Sequence, residues 1–478
     1  MDATQKRLGA GDVLTISFGT TVAMWALGYL SRLPGFHVPS AVIFGALIGC
    51  FVVGAFAAGA LTKRGWRIGL ASGILIGILN LLILGSLLAS TQKTNALLPS
   101  TPAYIGGFIG GCAFLGMICA GLGTRLTTRK VKPLKTVRMS TIFLRDPEPA
   151  NNPVAVNWTG WFARVAAAAT MLLITVGGVV TSEGAGLSVV DWPNSFGYNM
   201  FLYPISRMTG GIYFEHAHRL IGSLVGLTVV TLAIHLWVVE RRTWLKVLSL
   251  GVIAAVICQG ILGGLRVTGY FTLSDDPSKT APNIALAIVH GVFGQLIFGA
   301  IVGIAVFTSR AHQSVMQALV RPGASADRSL GVLLVVMLMA QLIVGAILRH
   351  ISHGLALHIT MAVFALALAV AAGTRAWFLN GENWILRRCG KTLLALAAVQ
   401  LALGLASIII TQGATRPRTN VTALWAGITT AHQAVGALLL AMAVTLAIWN
   451  IHLLRRKEDE PERNIPMKDS PKQNMVNV

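Results

Sequence analysis

Long apolar stretches alternate with short polar segments along almost the whole chain. About twelve of these stretches reach the roughly 20 residues that a helix needs to cross a bilayer. Since a backbone surrounded by lipid must satisfy its own hydrogen bonds, every such stretch is expected to be helical. The pattern therefore predicts an all-α polytopic membrane protein. The predicted spans lie at roughly 13–30, 38–61, 68–89, 103–123, 160–180, 212–238, 244–267, 283–307, 329–348, 354–374, 391–410 and 423–453.

The polar segments divide these spans into two membrane parts. Residues 1–123 form a four-span region of unknown role in which glycine recurs at every fourth position, a spacing typical of closely packed helices. These glycines are Gly45 with Gly49, Gly69 with Gly73 and Gly77, Gly106 with Gly110, and Gly107 with Gly111. The basic, proline-containing residues 124–158 are predicted to be an inner-side linker. The polar residues 455–478 are predicted to be a disordered tail.

The last eight spans contain an internal repeat. The stretch CQGILGGLRV, followed after an outer loop by IVHGVFGQLIFGAIVGIAV, resembles VQLALGLASI, followed by TAHQAVGALLLAMAVTLAI. This alignment matches His290 with His432. The repeat predicts two tandem four-helix bundles, at 159–320 and 321–454, related by a pseudo-two-fold axis.

Basic residues are unevenly distributed along the chain. The 38 lysines and arginines outnumber the 17 acidic residues, which gives a formal net charge of +21, but they are concentrated in the segments on the side of the two termini. This asymmetry predicts cytoplasmic termini, with a lipid bilayer and not nucleic acid as the partner. No cleavable signal peptide and no Arg/Ser-rich transit segment is evident, so a bacterial inner membrane is the expected location.

Four histidines lie near the outer ends of four predicted spans, at similar depth in the outer leaflet. They are His218, His290, His358 and His432, and the residues four positions later are Gly222, Gly294, Ala362 and Gly436. Positions i and i+4 share a helix face, so each imidazole has a small-residue notch one turn away that suits a flat ligand. A single membrane histidine often only hydrogen-bonds to a neighbouring helix, but four at matching repeat positions favour a binding function.

The type and number of side chains indicate the ligand. Each bundle is expected to bring two imidazoles together without thiolates or a carboxylate cluster, a set that fits haem iron better than zinc or calcium. One porphyrin per bundle is therefore predicted. In the first bundle His216 is an alternative candidate ligand to His218. The two are about 200° apart around a helix and cannot both face the bundle core. The notch at Gly222 favours His218.

Charged residues near these histidines are candidates for further roles. Glu215, three residues before His218, can handle a proton in a site of low dielectric or, alternatively, orient a ligand imidazole. Arg219, Arg266 and Arg349 lie near outer helix ends, where a guanidinium can bind haem propionates or lipid headgroups. The sequence leaves both alternatives open.

Two further motifs carry a family resemblance. The stretches GAGLSVVDWP at 184–193 and EHAHR at 215–219, together with the single histidines of the later spans, resemble the heme A synthase family over residues 160–455. The resemblance implies an eight-helix protein built from two four-helix halves. It leaves the first four spans outside the family core.

The resemblance also implies how the histidines are used. His358 and His432 match the pair that binds a resident haem b, and His218 and His290 match the pair that holds haem O as the substrate. Glu215 matches the acidic residue beside the substrate site. Some family members carry a cysteine pair in the first outer loop of this region, but this chain has no cysteine there.

The implied reaction oxidises a methyl group of haem O to a formyl group, giving haem A for cytochrome oxidase. Electrons would leave through haem b to an acceptor that the sequence does not identify. Haem O synthase and cytochrome oxidase subunits are the expected protein partners. Two alternatives stay open, a dihaem b-type electron carrier linked to quinol and a haem transporter or chaperone.

Overall fold

The computed structural model describes residues 9–88, 100–128, 156–268, 283–314, 319–411 and 422–455. Twelve helices in this part of the chain are long and apolar enough to cross a membrane, which confirms the predicted all-α polytopic fold. They are α1 (Gly9–Ser31), α2 (Ser40–Thr62), α3 (Trp66–Leu88), α4 (Thr101–Thr128), α5 (Trp158–Ser182), α6 (Gly210–Val239), α7 (Thr243–Thr268), α8 (Ile284–Phe307), α9 (Ala324–Ile351), α10 (Leu355–Thr374), α11 (Trp384–Thr411) and α12 (Ala423–Leu453).

Polar side chains begin several of these helices, and short elements fill the loops. Asn157, Asn283 and Thr422 are the N-caps of α5, α8 and α12, and each accepts a hydrogen bond from the backbone amide three residues later. Two 3₁₀ turns, Met200–Leu202 and Ile205–Arg207, lie in the loop between α5 and α6. On the opposite side, β1 (Leu319–Val320) pairs in parallel with β2 (Leu454–Arg455).

The last eight helices form two rings of four. In α5–α8 each helix contacts the next and α8 contacts α5, and α9–α12 are connected in the same way. Between the rings α12 contacts α5, α8 contacts α9, and α8 contacts α12. A pseudo-two-fold axis between the rings would exchange α5 with α9 and α8 with α12. It would convert the contact of α12 with α5 into that of α8 with α9, and both contacts are present.

The first four helices pack on one face of the first ring. Helix α1 packs on α5 and contacts α6, and α3 contacts both α6 and the turn Met200–Leu202. Phe18 of α1 and Phe162 of α5 have ring centroids 5.4 Å apart. Trp25 of α1 donates its indole N–H to the Asn80 side chain of α3 at 3.1 Å, so α1 is also held by α3.

The glycines of the four-span region have two different environments. Gly69, Gly73 and Gly77 of α3 lie against the backbone of α4, and a methyl group on any of them would collide with it or press on it. The other predicted packing glycines have no neighbour within 4 Å of such a methyl group; they are Gly45, Gly49, Gly106, Gly107, Gly110 and Gly111. Close packing was therefore predicted correctly only for α3.

Helix α4 extends into the predicted linker. It reaches Thr128 rather than ending near residue 123, and the Thr124 hydroxyl in this added stretch donates to the carbonyl of Gly59 in α2 at 2.9 Å. The rest of the linker as far as residue 155, and the predicted tail beyond Arg455, lie outside the described residues.

Candidate haem-binding site

The four predicted ligands form two pairs of nearly identical geometry. The ring centroids of His218 in α6 and His290 in α8 are 6.4 Å apart, with planes at 76°. Those of His358 in α10 and His432 in α12 are 6.5 Å apart, with planes at 75°. With metal–nitrogen bonds of about 2 Å, an ion between two opposed imidazoles separates their centroids by about 6 Å. Each pair is therefore spaced to hold one metal ion.

Each imidazole lies on a glycine of the preceding helix. A methyl group on Gly177, Gly263 or Gly345 would lie 3.0 Å from Cε1 of His218, His290 or His358, and one on Gly404 would lie 3.2 Å from that of His432. A side chain at any of these positions would displace the ring. We call each of these four contacts a histidine seat.

A glutamine precedes three of the four seat glycines by one helical turn. Gln259 donates its amide N–H to the backbone carbonyl of His290 at 2.9 Å, and Gln341 donates to that of His358 at 3.0 Å. The amide nitrogen of Gln400 lies 3.4 Å from Nε2 of His432. In α5 the corresponding residue is Leu173, so the seat of His218 has no amide at this position.

The three glycines four positions after His218, His290 and His432 face these same side chains. A methyl group on Gly294 would lie 3.0 Å from the amide nitrogen of Gln259, and one on Gly436 would lie 3.2 Å from that of Gln400. Gly222 faces Leu173 in the same way, at 3.9 Å. The notches predicted for a flat ligand thus accommodate the glutamine or leucine of the preceding helix. The repeated Q-x-x-x-G spacing was the sequence signal that could have shown this arrangement.

Glu215 and Arg219 connect α6 to the loop between α5 and α6, residues 183–209, which the charge asymmetry predicts to be on the outer side and which we call the outer loop. The Glu215 carboxylate accepts hydrogen bonds from the backbone amide of Val189 at 2.9 Å and from Arg219 at 2.8 Å. Arg219 also donates to the carbonyls of Val189, Asp191 and Asn194 at 2.7–2.9 Å. The Glu215 side chain is buried and that of Arg219 is 9% exposed. The motifs GAGLSVVDWP and EHAHR therefore form one hydrogen-bonded unit.

His216 faces this loop and not the histidine pair. Its Nδ1 lies 3.1 Å from the hydroxyl of Ser195, and its ring centroid is 5.0 Å from that of Tyr203. Burial raises the pKa of Tyr203, and Arg207 partly offsets this effect. His216 thus belongs to the packing of the outer loop.

The other two arginines lie in different surroundings. Arg266, near the end of α7, packs on Gly186 of the outer loop and interacts electrostatically with Glu215 and with both histidines of the first pair. Arg349 of α9 donates to the hydroxyl of Ser182 at 2.7 Å, at the contact between α5 and α12. Each therefore lies at the end of its bundle where the histidines are found.

Fold and site together define a polytopic helical membrane protein with two matched histidine pairs near the starts of α6, α8, α10 and α12. The family model of the cytochrome oxidase assembly proteins matches residues 160–456, more than half of the chain. The chain therefore belongs to this family, the heme A synthase family that its motifs indicated. A search of the curated proteins finds no match. The family match covers α5–α12 and leaves α1–α4 outside.

Proposed function

We propose that the protein is a heme A synthase that oxidises a methyl group of haem O to a formyl group. The observation that carries this proposal is the presence of two histidine pairs with the same spacing and angle in two adjoining bundles. Membership of the cytochrome oxidase assembly proteins supports the same role. Two haem sites are what the reaction needs, one for the porphyrin that is modified and one for electron transfer.

The donor set fits haem iron. The described residues contain no group of three or more His, Cys, Asp or Glu side chains that could hold a metal ion. Structural zinc requires four protein ligands and calcium six to eight oxygens, whereas haem iron takes four nitrogens from the porphyrin and leaves two positions. A pair of imidazoles supplies those two ligands.

The family resemblance assigns the pairs. We infer that His358 and His432 hold the resident haem b, and that His218 and His290 hold haem O. When bound, the haems supply the iron redox chemistry. The residues of the chain fix the ring positions from the glycine seats, and Glu215 handles the proton at the loop side of the first pair.

The arginines divide into two roles. Because the terminal nitrogens of Arg219 donate to loop carbonyls and Glu215, Arg219 holds the loop. We assign the propionate contacts to Arg266 for the first site and to Arg349 for the second. We infer a bacterial inner membrane as the location, and the charge asymmetry supports cytoplasmic termini with the haem sites toward the outer face.

A haem extract of the purified protein tests this function. We expect haem b together with haem O or haem A, and formation of haem A when the protein is supplied with haem O and an electron acceptor, which takes up the electrons removed from the methyl group. Chromatographic separation of haems b, O and A with mass detection is the measurement. Haem b alone, with no modified porphyrin after turnover, would identify a dihaem electron carrier. Release of unmodified haem across the bilayer would identify a transporter.

The crossed imidazole planes predict a spectroscopic signature. A ferric haem held by two nearly perpendicular imidazoles would give a strongly anisotropic low-spin EPR signal. With planes at 76° and 75°, both sites are expected to show such a signal at low temperature. His432→Ala should remove one of the two. Rhombic signals typical of parallel imidazoles from both sites would contradict the observed geometry.

A further inference from the structure

Three of the four ligand helices meet a glutamine side chain at the level of the histidine seat, whereas α6 meets the side chain of Leu173. Gln259 and Gln341 bond to the backbone of His290 and His358, and Gln400 contacts the ring of His432. A hydrogen bond at this position fixes both the rotation and the height of the helix that carries the ligand. The side chain of Leu173 contacts α6 at the corresponding point through a methyl group and has no amide to donate.

Helix α6 has a different polar contact, with α1. The Tyr213 hydroxyl donates to the backbone carbonyl of Tyr29 in the last turn of α1, at 2.6 Å. The two rings are stacked, with centroids 5.6 Å apart and planes at 12°. Both residues are buried, at 6% and 8% exposure. Tyr213 precedes His218 by five residues, a rise of about 7.5 Å along the helix.

Helix α1 is itself firmly placed. It packs on α5 through Phe18 and on α3 through the hydrogen bond from Trp25 to Asn80. Helix α3 in turn supports the outer loop, because the Ser86 hydroxyl donates to the carbonyl of Phe201 at 3.1 Å. The four-span region therefore contacts α6 and the loop that covers its outer end, both of which position the first histidine pair.

We propose that the contact between Tyr29 and Tyr213 fixes the position of α6 against α1, and we call this contact the brace. It positions His218, as the seat glutamines position the other three ligands. This proposal gives the four-span region a function, the positioning of one haem ligand, and it rests on the proposed role of His218 as a ligand. Tyr213 is a positioning residue, because it acts on the haem only through α6.

A cycle of two substitutions tests the brace. Tyr213→Phe removes the hydrogen bond to α1, and Leu173→Gln supplies the missing seat amide. The start of α6, residues 210–222, is followed by hydrogen–deuterium exchange, and loss of ferric haem O from the loaded protein is followed by transfer to apomyoglobin. We expect Tyr213→Phe to accelerate both by about threefold to tenfold, the range for one buried hydrogen bond. In the double variant Leu173→Gln should reverse most of this change.

Matched variants distinguish loss of the brace from a nonspecific loss of helix packing. Tyr104→Phe makes the same change at an exposed position of α4 and should have no effect. Leu173→Met gives an unbranched side chain without the amide and should not rescue Tyr213→Phe. Unchanged exchange and haem loss in Tyr213→Phe, or rescue by Met as well as by Gln, would overturn the proposal. Neither measurement requires turnover, so a protein that never converts haem O would refute the proposed function and leave the brace to be judged by these data.

Discussion

Gly263→Val is expected to deprive the first histidine pair of haem, while Gly260→Val on the same helix leaves it bound. A methyl group on Gly263 would already lie 3.0 Å from Cε1 of His290, and valine adds two more carbons at the same place. The ring must then leave its position opposite His218, or α7 and α8 must separate. Overpacking of this kind costs about 1–3 kcal/mol, and loss of ligand orientation typically reduces metal affinity by about 10- to 100-fold.

Gly260 makes this a controlled comparison. It lies one turn before Gly263, is exposed, and has no neighbour within 4 Å of an added methyl group. Valine therefore imposes the same cost in helix propensity at both positions. The measurements are the haem-to-protein ratio and the two EPR signals. We expect Gly263→Val to lose one signal, to keep haem b in the second bundle and to make no haem A. Equal haem contents in the two variants would show that the seat does not position His290.

The same seat occurs in four antiparallel helix pairs with one register. Where Gly263 meets His290, Gln259 meets Gly294; where Gly404 meets His432, Gln400 meets Gly436. In α5 with α6, Gly177 meets His218 and Leu173 meets Gly222, and in α9 with α10, Gly345 meets His358. The contact between seat glycine and histidine thus recurs in every hairpin of two helices. The sequence repeat is longer and covers four helices.

The parts of the structure that could be predicted are those that depend on one helix at a time. Hydropathy is sufficient to locate twelve spans, because lipid requires a helix wherever the apolar run is long enough. Helix ends were less certain: α11 begins at Trp384, about two turns before the predicted start at 391, since its first turns are amphipathic and basic. The relation between helices was harder. Gly45 and Gly69 have the same sequence spacing, but only Gly69 faces a neighbouring helix.

The histidine notch illustrates the same limit. A spacing of four residues correctly indicates a shared face of one helix, but it does not identify what occupies that face. The glycine that touches each imidazole is on the preceding helix, and finding it requires the antiparallel register. The aligned repeat stretches place Gln259 opposite Gln400 as well as His290 opposite His432, which indicates that the two hairpins share one register without giving that register. Glu215 was found from sequence, but its bond to the amide of Val189 was not, since a loop contact has no periodic signal.

Glu215→Gln should stop the formation of haem A while leaving the outer loop folded. Glutamine has the size of glutamate and keeps an oxygen that can accept the amide of Val189, but it cannot take up a proton. General acid–base groups contribute about 10²- to 10⁴-fold to rate, so a loss of at least about 100-fold is expected in single-turnover conversion of haem O. Limited proteolysis of residues 184–209 reports on the loop. Glu183→Gln makes the same change at a second acid of the loop, whose pKa burial raises, and should retain activity.

Arg219→Gln decides between a proton-handling role and a purely structural one for Glu215. It keeps the carboxylate but removes the donors to Val189, Asp191 and Asn194, so it damages the loop more than Glu215→Gln does. If Glu215 only anchors the loop, Arg219→Gln must lower the rate more and increase proteolysis in parallel. If Glu215 handles the proton, Glu215→Gln must lower the rate more although its loop stays resistant. The order of the two rates therefore tests the role of the carboxylate separately from the folding of the loop.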